Sequence, residues 1–145
     1  MSGLLVYAGK RAIIDALSDL IPEDTAQVAY SFPGNPDRTL VYGGGARFTR
    51  APVTAESSSP AAETAVIDIW LRVEEPGGDV REAEQMVETL AVTVIGALYT
   101  HRLVGTGFTF VDVSTGVAPT SVVSATPTPT IVARLQLQVT VRGIL

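Results

Sequence analysis

The sequence predicts an α+β fold: a mainly antiparallel sheet with two helices packed on one face, in the order α-β-β-β-α-β-β. Three patterns carry that expectation. Ala65, Ile67, Ile69, Leu71 and Val73 are all apolar, while Val66, Asp68, Trp70, Arg72 and Glu74 between them are mixed, the period-two alternation of a half-buried strand. Ile131, Ala133, Leu135, Leu137, Val139 and Val141 repeat this over twelve residues, about 40 Å of strand. Between the two stretches, Val80, Ala83, Val87, Leu90, Val94 and Leu98 recur at three- and four-residue steps, the stripe of a core-facing helix.

The remaining elements follow in chain order. Ile13, Leu17, Leu20 and Ile21, with Ala12 and Ala16 beside them, predict a helix from Lys10, ended by Pro22 because the residue before proline is pushed out of helical geometry. Gln27 to Phe32 reads as a strand closed by the turn residues Pro33-Gly34-Asn35-Pro36-Asp37. Thr39 to Tyr42 forms a second, interrupted by Gly43-Gly44-Gly45 and continued as a hairpin arm over 46–50. Residues 51–62, with Pro52, three serines and Pro60, bury little apolar area, so a flexible loop is expected over 43–62. Thr64 to Glu74 is the middle strand. Asp79 caps the long helix with Glu82 three residues on, as in a capping box, and the helix runs to about Thr100, roughly 33 Å. Phe108 to Val113 is a further strand. Gly116 and Pro119 mark a break, Ser121 to Pro129 a bend, and Ile131 to Arg142 the last strand. Neighbouring strands joined by turns favour antiparallel pairing.

Composition excludes several functions. At 145 residues the chain fits one domain, 1–145. Cysteine is absent, which removes disulfides, thiolate ligands and a cysteine nucleophile. A net charge of −5 with ten basic residues scattered along the chain argues against a nucleic-acid partner, which needs clustered Lys and Arg. The first ten residues lack the basic start and apolar core of a signal peptide, and no apolar run approaches the roughly 20 residues of a membrane span.

Catalytic and cofactor chemistry is not expected. His101 is the single histidine, and no Gly-x-Ser-x-Gly elbow accompanies it; a cationic side chain at a helix end is the simpler account. Gly43-Gly44-Gly45-Ala46-Arg47 lacks the Gly-Lys-Ser/Thr ending of a phosphate loop, so a bulged hairpin is the better reading. Glu23/Asp24 and Glu74/Glu75 are sequence neighbours whose side chains diverge, and a solvated surface accounts for both. No metal site or cofactor is expected.

Contact residues are a different matter. Trp70 is either core beneath the 51–62 loop or an interface anchor, since Trp and Arg are enriched at binding hot spots. It stands with Arg72 on the mixed strand face. Arg47, Phe48 and Arg50 place basic and aromatic groups on a glycine-hinged arm, suited to an acidic partner surface. Arg134, Gln136 and Gln138 line the polar side of the last strand and suit a subunit contact.

The chain resembles the tail terminator (tail completion, or minor tail) proteins of long-tailed bacteriophages. The resemblance rests on the opening helix running into Gln27-Val28-Ala29-Tyr30-Ser31-Phe32-Pro33-Gly34, on Val66-Ile67-Asp68-Ile69-Trp70-Leu71-Arg72-Val73, on the helix from Arg81-Glu82-Ala83-Glu84 to Ala97-Leu98, and on Arg102-Leu103-Val104-Gly105 before two long strands. It implies a hexameric ring at the head-proximal end of the tail tube, ending tube polymerisation and docking the head connector. The implied partners are other copies of the chain, the tail tube protein and a head connector or stopper protein. The implied location is the virion, with host cytoplasm during assembly, and no catalytic residues carry over. The alternatives are a tail tube or head-tail connector subunit, and a small-ligand-binding α+β domain.

Overall fold

The computed structural model describes residues 2–50, 62–77, 79–123 and 130–144. It comprises α1 (Ser2–Leu20), β1 (Gln27–Ala29), β2 (Thr39–Arg50), β3 (Ala62–Pro76), α2 (Val80–His101), β4 (Thr109–Val123) and β5 (Thr130–Ile144). The five strands form one sheet in the order β1-β2-β3-β5-β4. Every pairing is antiparallel except β1 with β2. The protein is thus an α+β fold with the expected element order.

Both strong alternations predict the buried face. Ala65, Ile67, Ile69, Leu71 and Val73 of β3 are buried, as are Ile131, Ala133, Leu135, Leu137, Val139 and Val141 of β5. The β3–β5 register places Leu71 opposite Leu135 and Ile67 opposite Val139, so the two apolar rows meet across the ladder. Ile13 and Leu17 of α1 and Ala83, Val87, Val94 and Leu98 of α2 belong to the same apolar cluster. At about 25 cal/mol per Å² of apolar surface removed from water, this burial is the main stabilising term.

Several boundaries differ from expectation. Helix α1 begins at Ser2, well before Lys10, and runs through Gly9. A Cβ there would lie 3.3 Å from the Val141 side chain and 3.5 Å from Ile67, so the glycine seats the helix closely on the sheet. The Pro22 carbonyl then accepts hydrogen bonds from the amides of Thr25 and Ala26, turning the chain. Strand β1 ends at Ala29, not Phe32, and pairs parallel with β2. So short a strand needs no helical crossover, and residues 30–38 suffice to return the chain. Two bonds hold that return: the Asp37 amide donates to Gln27 Oε1 at 2.7 Å, and the Glu74 amide to the Arg38 carbonyl at 2.7 Å.

The expected flexible loop over 43–62 needs correction. Residues 43–50 continue β2, with a register shift between Gly43 and Ala46, and Ala62 already opens β3. The glycines make a bulge within a paired strand. Residues 51–61 lie outside the described residues. Strand β4 likewise runs past Gly116 and Pro119 to Val123, where a break was expected. Register irregularities at 115/117 and 117/120 absorb both residues, and an edge strand tolerates a proline that lacks an amide donor.

Helix α2 is capped as expected on one side only. The Arg81 amide donates to Asp79 Oδ1 at 2.9 Å, whereas the reciprocal Glu82 bond of a capping box is not among the hydrogen bonds of the described residues. At its C-terminal end Arg102 (φ 51°) and Leu103 (φ 57°) both take left-handed geometry. That strain is offset by burying Leu103, while the Arg102 amide still bonds the Leu98 carbonyl at 2.8 Å.

Candidate interaction face on the sheet

Strand alternation turns the even-numbered residues of β3 and β5 away from the apolar cluster. Asp68, Trp70, Arg72 and Glu74 of β3 line this second face, beside Arg134, Gln136, Gln138 and Arg142 of β5. The register sets Trp70 opposite Gln136, Asp68 opposite Gln138, and Arg72 opposite Arg134. Strand β2 adds Tyr42 opposite Trp70 and Arg47 opposite Val66.

Trp70 is half-buried at the middle of this face. Gly44 makes room for it: a Cβ at that position would lie 2.7 Å from the indole ring. The Arg134 guanidinium stands 5.3 Å from the ring centroid, within cation–π range. On the neighbouring strand Gly116 serves the glutamines. A Cβ there would collide with Gln136 Oε1 and come within 3.0 Å of Gln138.

Arg72 is held from two sides. Its guanidinium is 3.5 Å from a Glu74 carboxylate oxygen and 5.7 Å from the Phe32 ring centroid. Phe32 meets Tyr42 edge-on, with ring centroids 5.3 Å apart. Residues 30–38 therefore reach over one corner of the face, and Leu40, opposite Arg72, is fully buried outside the main apolar cluster. Arg72 Nη1 is buried without a hydrogen-bond partner among the described residues. Arg47 is more loosely placed, 3.9 Å from Asp68 with its side chain 59% exposed.

Six sequence-predicted contact residues, Arg47, Trp70, Arg72, Arg134, Gln136 and Gln138, thus share one face. Phe48 and Arg50 stand opposite Ala65 and Glu63 in the β2–β3 ladder, and their side chains lie outside the described residues. Tyr42 and Phe32 were missed. Tyr42 was legible as a strand residue, yet only the β2–β3 register brings it beside Trp70.

The opposite side of the molecule carries a few titratable groups. Partial burial, together with the neighbouring Glu82 and Asp79 carboxylates, raises the pKa of Glu75. Partial burial lowers that of Lys10, whose ammonium sits 4.1 Å from the Tyr30 ring centroid. His101 ends α2. A groove of about 410 Å³ runs between α2 and the ends of β2 and β3, lined mainly by Thr25, Thr39, Gln85, Met86, Thr89 and Thr93. Among the described residues no group of three or more His, Asp or Glu side chains is placed to hold a metal ion. Among the described residues no helix is long and apolar enough to cross a membrane.

No protein-family model matches the chain, and no curated protein matches it. Among solved structures it is similar to a chain of the virion of a native gene transfer agent particle, with a TM-score of 0.55 at 16% identity. The two share a fold. The likeness covers 92% of this chain and 94% of that one.

Proposed function

We propose that this protein is a structural subunit of a phage-like virion, and that copies of it form a ring capping the head-proximal end of a tail tube. The observation that carries the reading is the end-to-end fold likeness to a chain of a gene transfer agent virion. A match over nearly the full length of both chains supports a subunit built on the same fold. The second support is the sheet face bearing Trp70, Arg72 and Arg134, whose composition is that of a contact surface. A subunit with one such face and a different surface on its other side associates head to tail, and such contacts close into a ring when the rotation permits.

In this reading the protein works by assembly and not by catalysis. The ring stops tube growth and offers its far side to the head connector. Purified protein added to polymerising tail tubes of the same particle is expected to arrest them at a fixed length. Tubes that elongate unchecked in its presence would refute the capping role. Incorporation of labelled protein along the whole tube would instead make it a tube subunit, and labelling confined to the head side of the junction a connector.

A further inference from the structure

The even-numbered sheet face has a charge defect that the subunit alone does not correct. Arg72 and Arg134 stand directly opposite each other on adjacent strands, and like charges so placed are destabilising. Glu74 balances Arg72, but Arg134 has no carboxylate partner among the described residues, and Arg72 Nη1 has no acceptor. Along the β2, β3 and β5 rows of the face, Arg47, Arg72, Arg134 and Arg142 outnumber Asp68 and Glu74 in a chain whose net charge is −5.

The complementary sign lies on α2. Its charged residues are Arg81 against Glu82, Glu84 and Glu88. Glu84 accepts a hydrogen bond from the Ser121 hydroxyl at 2.6 Å, whereas Glu88 is exposed with no ion-pair partner among the described residues. From Thr89 to Thr100 the helix carries no charged residue at all. Its outward positions there include Val92, 72% exposed, and Gly96, where a Cβ would meet nothing within 4 Å. A solvated helix face is ordinarily filled with Glu, Lys, Gln and Arg, which also favour the helix. Val, Thr and Gly in those places each cost helix propensity, up to about 1 kcal/mol for the glycine.

We infer that the exposed ridge of α2 on one copy docks on the Trp70–Arg134 face of the next, with Glu88 meeting the unpaired Arg134 guanidinium. The two surfaces point in opposite directions on one subunit, because the buried residues of α2 and the odd-numbered row of β3 and β5 share a cluster between them. The contact is therefore heterologous, and it deepens the ring reading proposed above by naming the surfaces that meet.

The absence of native cysteine makes the contact directly testable. Glu88→Cys and Arg134→Cys are prepared as separate full-length variants, with unchanged circular dichroism as the check on folding. Under mild oxidation a mixture of the two is expected to give a mixed disulfide dimer far exceeding the homodimers of either alone. Arg134→Glu is expected to weaken self-association by about tenfold in sedimentation, with recovery when Glu88→Arg is added in the same chain. A mixture that cross-links no better than its components, or a charge exchange that restores nothing, would overturn the inference. Preferred Glu88→Cys homodimers would overturn it in favour of a symmetric helix contact. Cross-linking without tube arrest leaves the interface standing and removes the capping role; arrest without cross-linking does the reverse.

Discussion

Glycine at position 44 is what leaves space for the Trp70 indole, and one methyl group there tests it. In Gly44→Ala the new Cβ would sit 2.7 Å from the ring, so the indole must move. Trp70 is the single tryptophan, and its emission reports the displacement without interference. A shift to longer wavelength is expected, with a loss of about 1–3 kcal/mol in chemical denaturation, the usual cost of forcing a packed group aside. An unchanged spectrum would contradict the contact. Glu75 supplies the pH counterpart. Its raised pKa means that the folded state holds the proton more tightly than the unfolded chain. The associated stability is complete in acid and declines as pH rises from the ordinary carboxylate value through the higher folded one. Glu75→Gln removes that decline. The variant is expected to be more stable than the parent at neutral pH and indistinguishable from it below the ordinary carboxylate range, as read from denaturation midpoints across pH.

Element by element, legibility followed the strength of the periodic signal. Strands β3 and β5 and helix α2 were readable because each buries one continuous row and exposes another. The weaker elements differ from expectation where glycine and proline read locally as stops, at Gly116 and Pro119 of β4 above all. The bulge expected at Gly43–Gly45 lies within a paired strand, and Gly116 with Pro119 make two irregularities in β4, since a neighbouring strand supplies hydrogen bonds that compensate for poor local propensity. Before Lys10, Leu4 to Ala8 is a continuous apolar run with no polar residue to set a helical period, so periodicity does not mark the first turns of α1. The cap of α2 was a local signal and was found. Asp79→Ala is expected to cost about 1 kcal/mol, because the first helical turn loses the acceptor that the Arg81 amide now uses. Thermal unfolding with no loss would show that water replaces the carboxylate at no cost.

At the scale of the whole molecule, the sheet order β1-β2-β3-β5-β4 decides what the protein can present. It places β5 between β3 and β4, so the polar rows of the two most regular strands lie side by side and Arg134 reaches Trp70. The resulting molecule has a basic, tryptophan-centred face on one side and an acidic, then uncharged, helix ridge on another. The proposed head-to-tail association rests on that asymmetry, and the cross-linking and tube-arrest outcomes speak separately to contact and role.

By itself the sequence determined the fold class, the order of elements, which row of each long strand is buried, and which residue types were available for contact. These follow from side-chain periodicity and turn chemistry, which are local. Only the tertiary structure decided strand order, the parallel pairing of β1, the survival of β2 and β4 through their glycines, and the meeting of Trp70 with Arg134. Each of these depends on hydrogen bonds and packing between segments distant along the chain, and no local pattern encodes which distant segment will arrive.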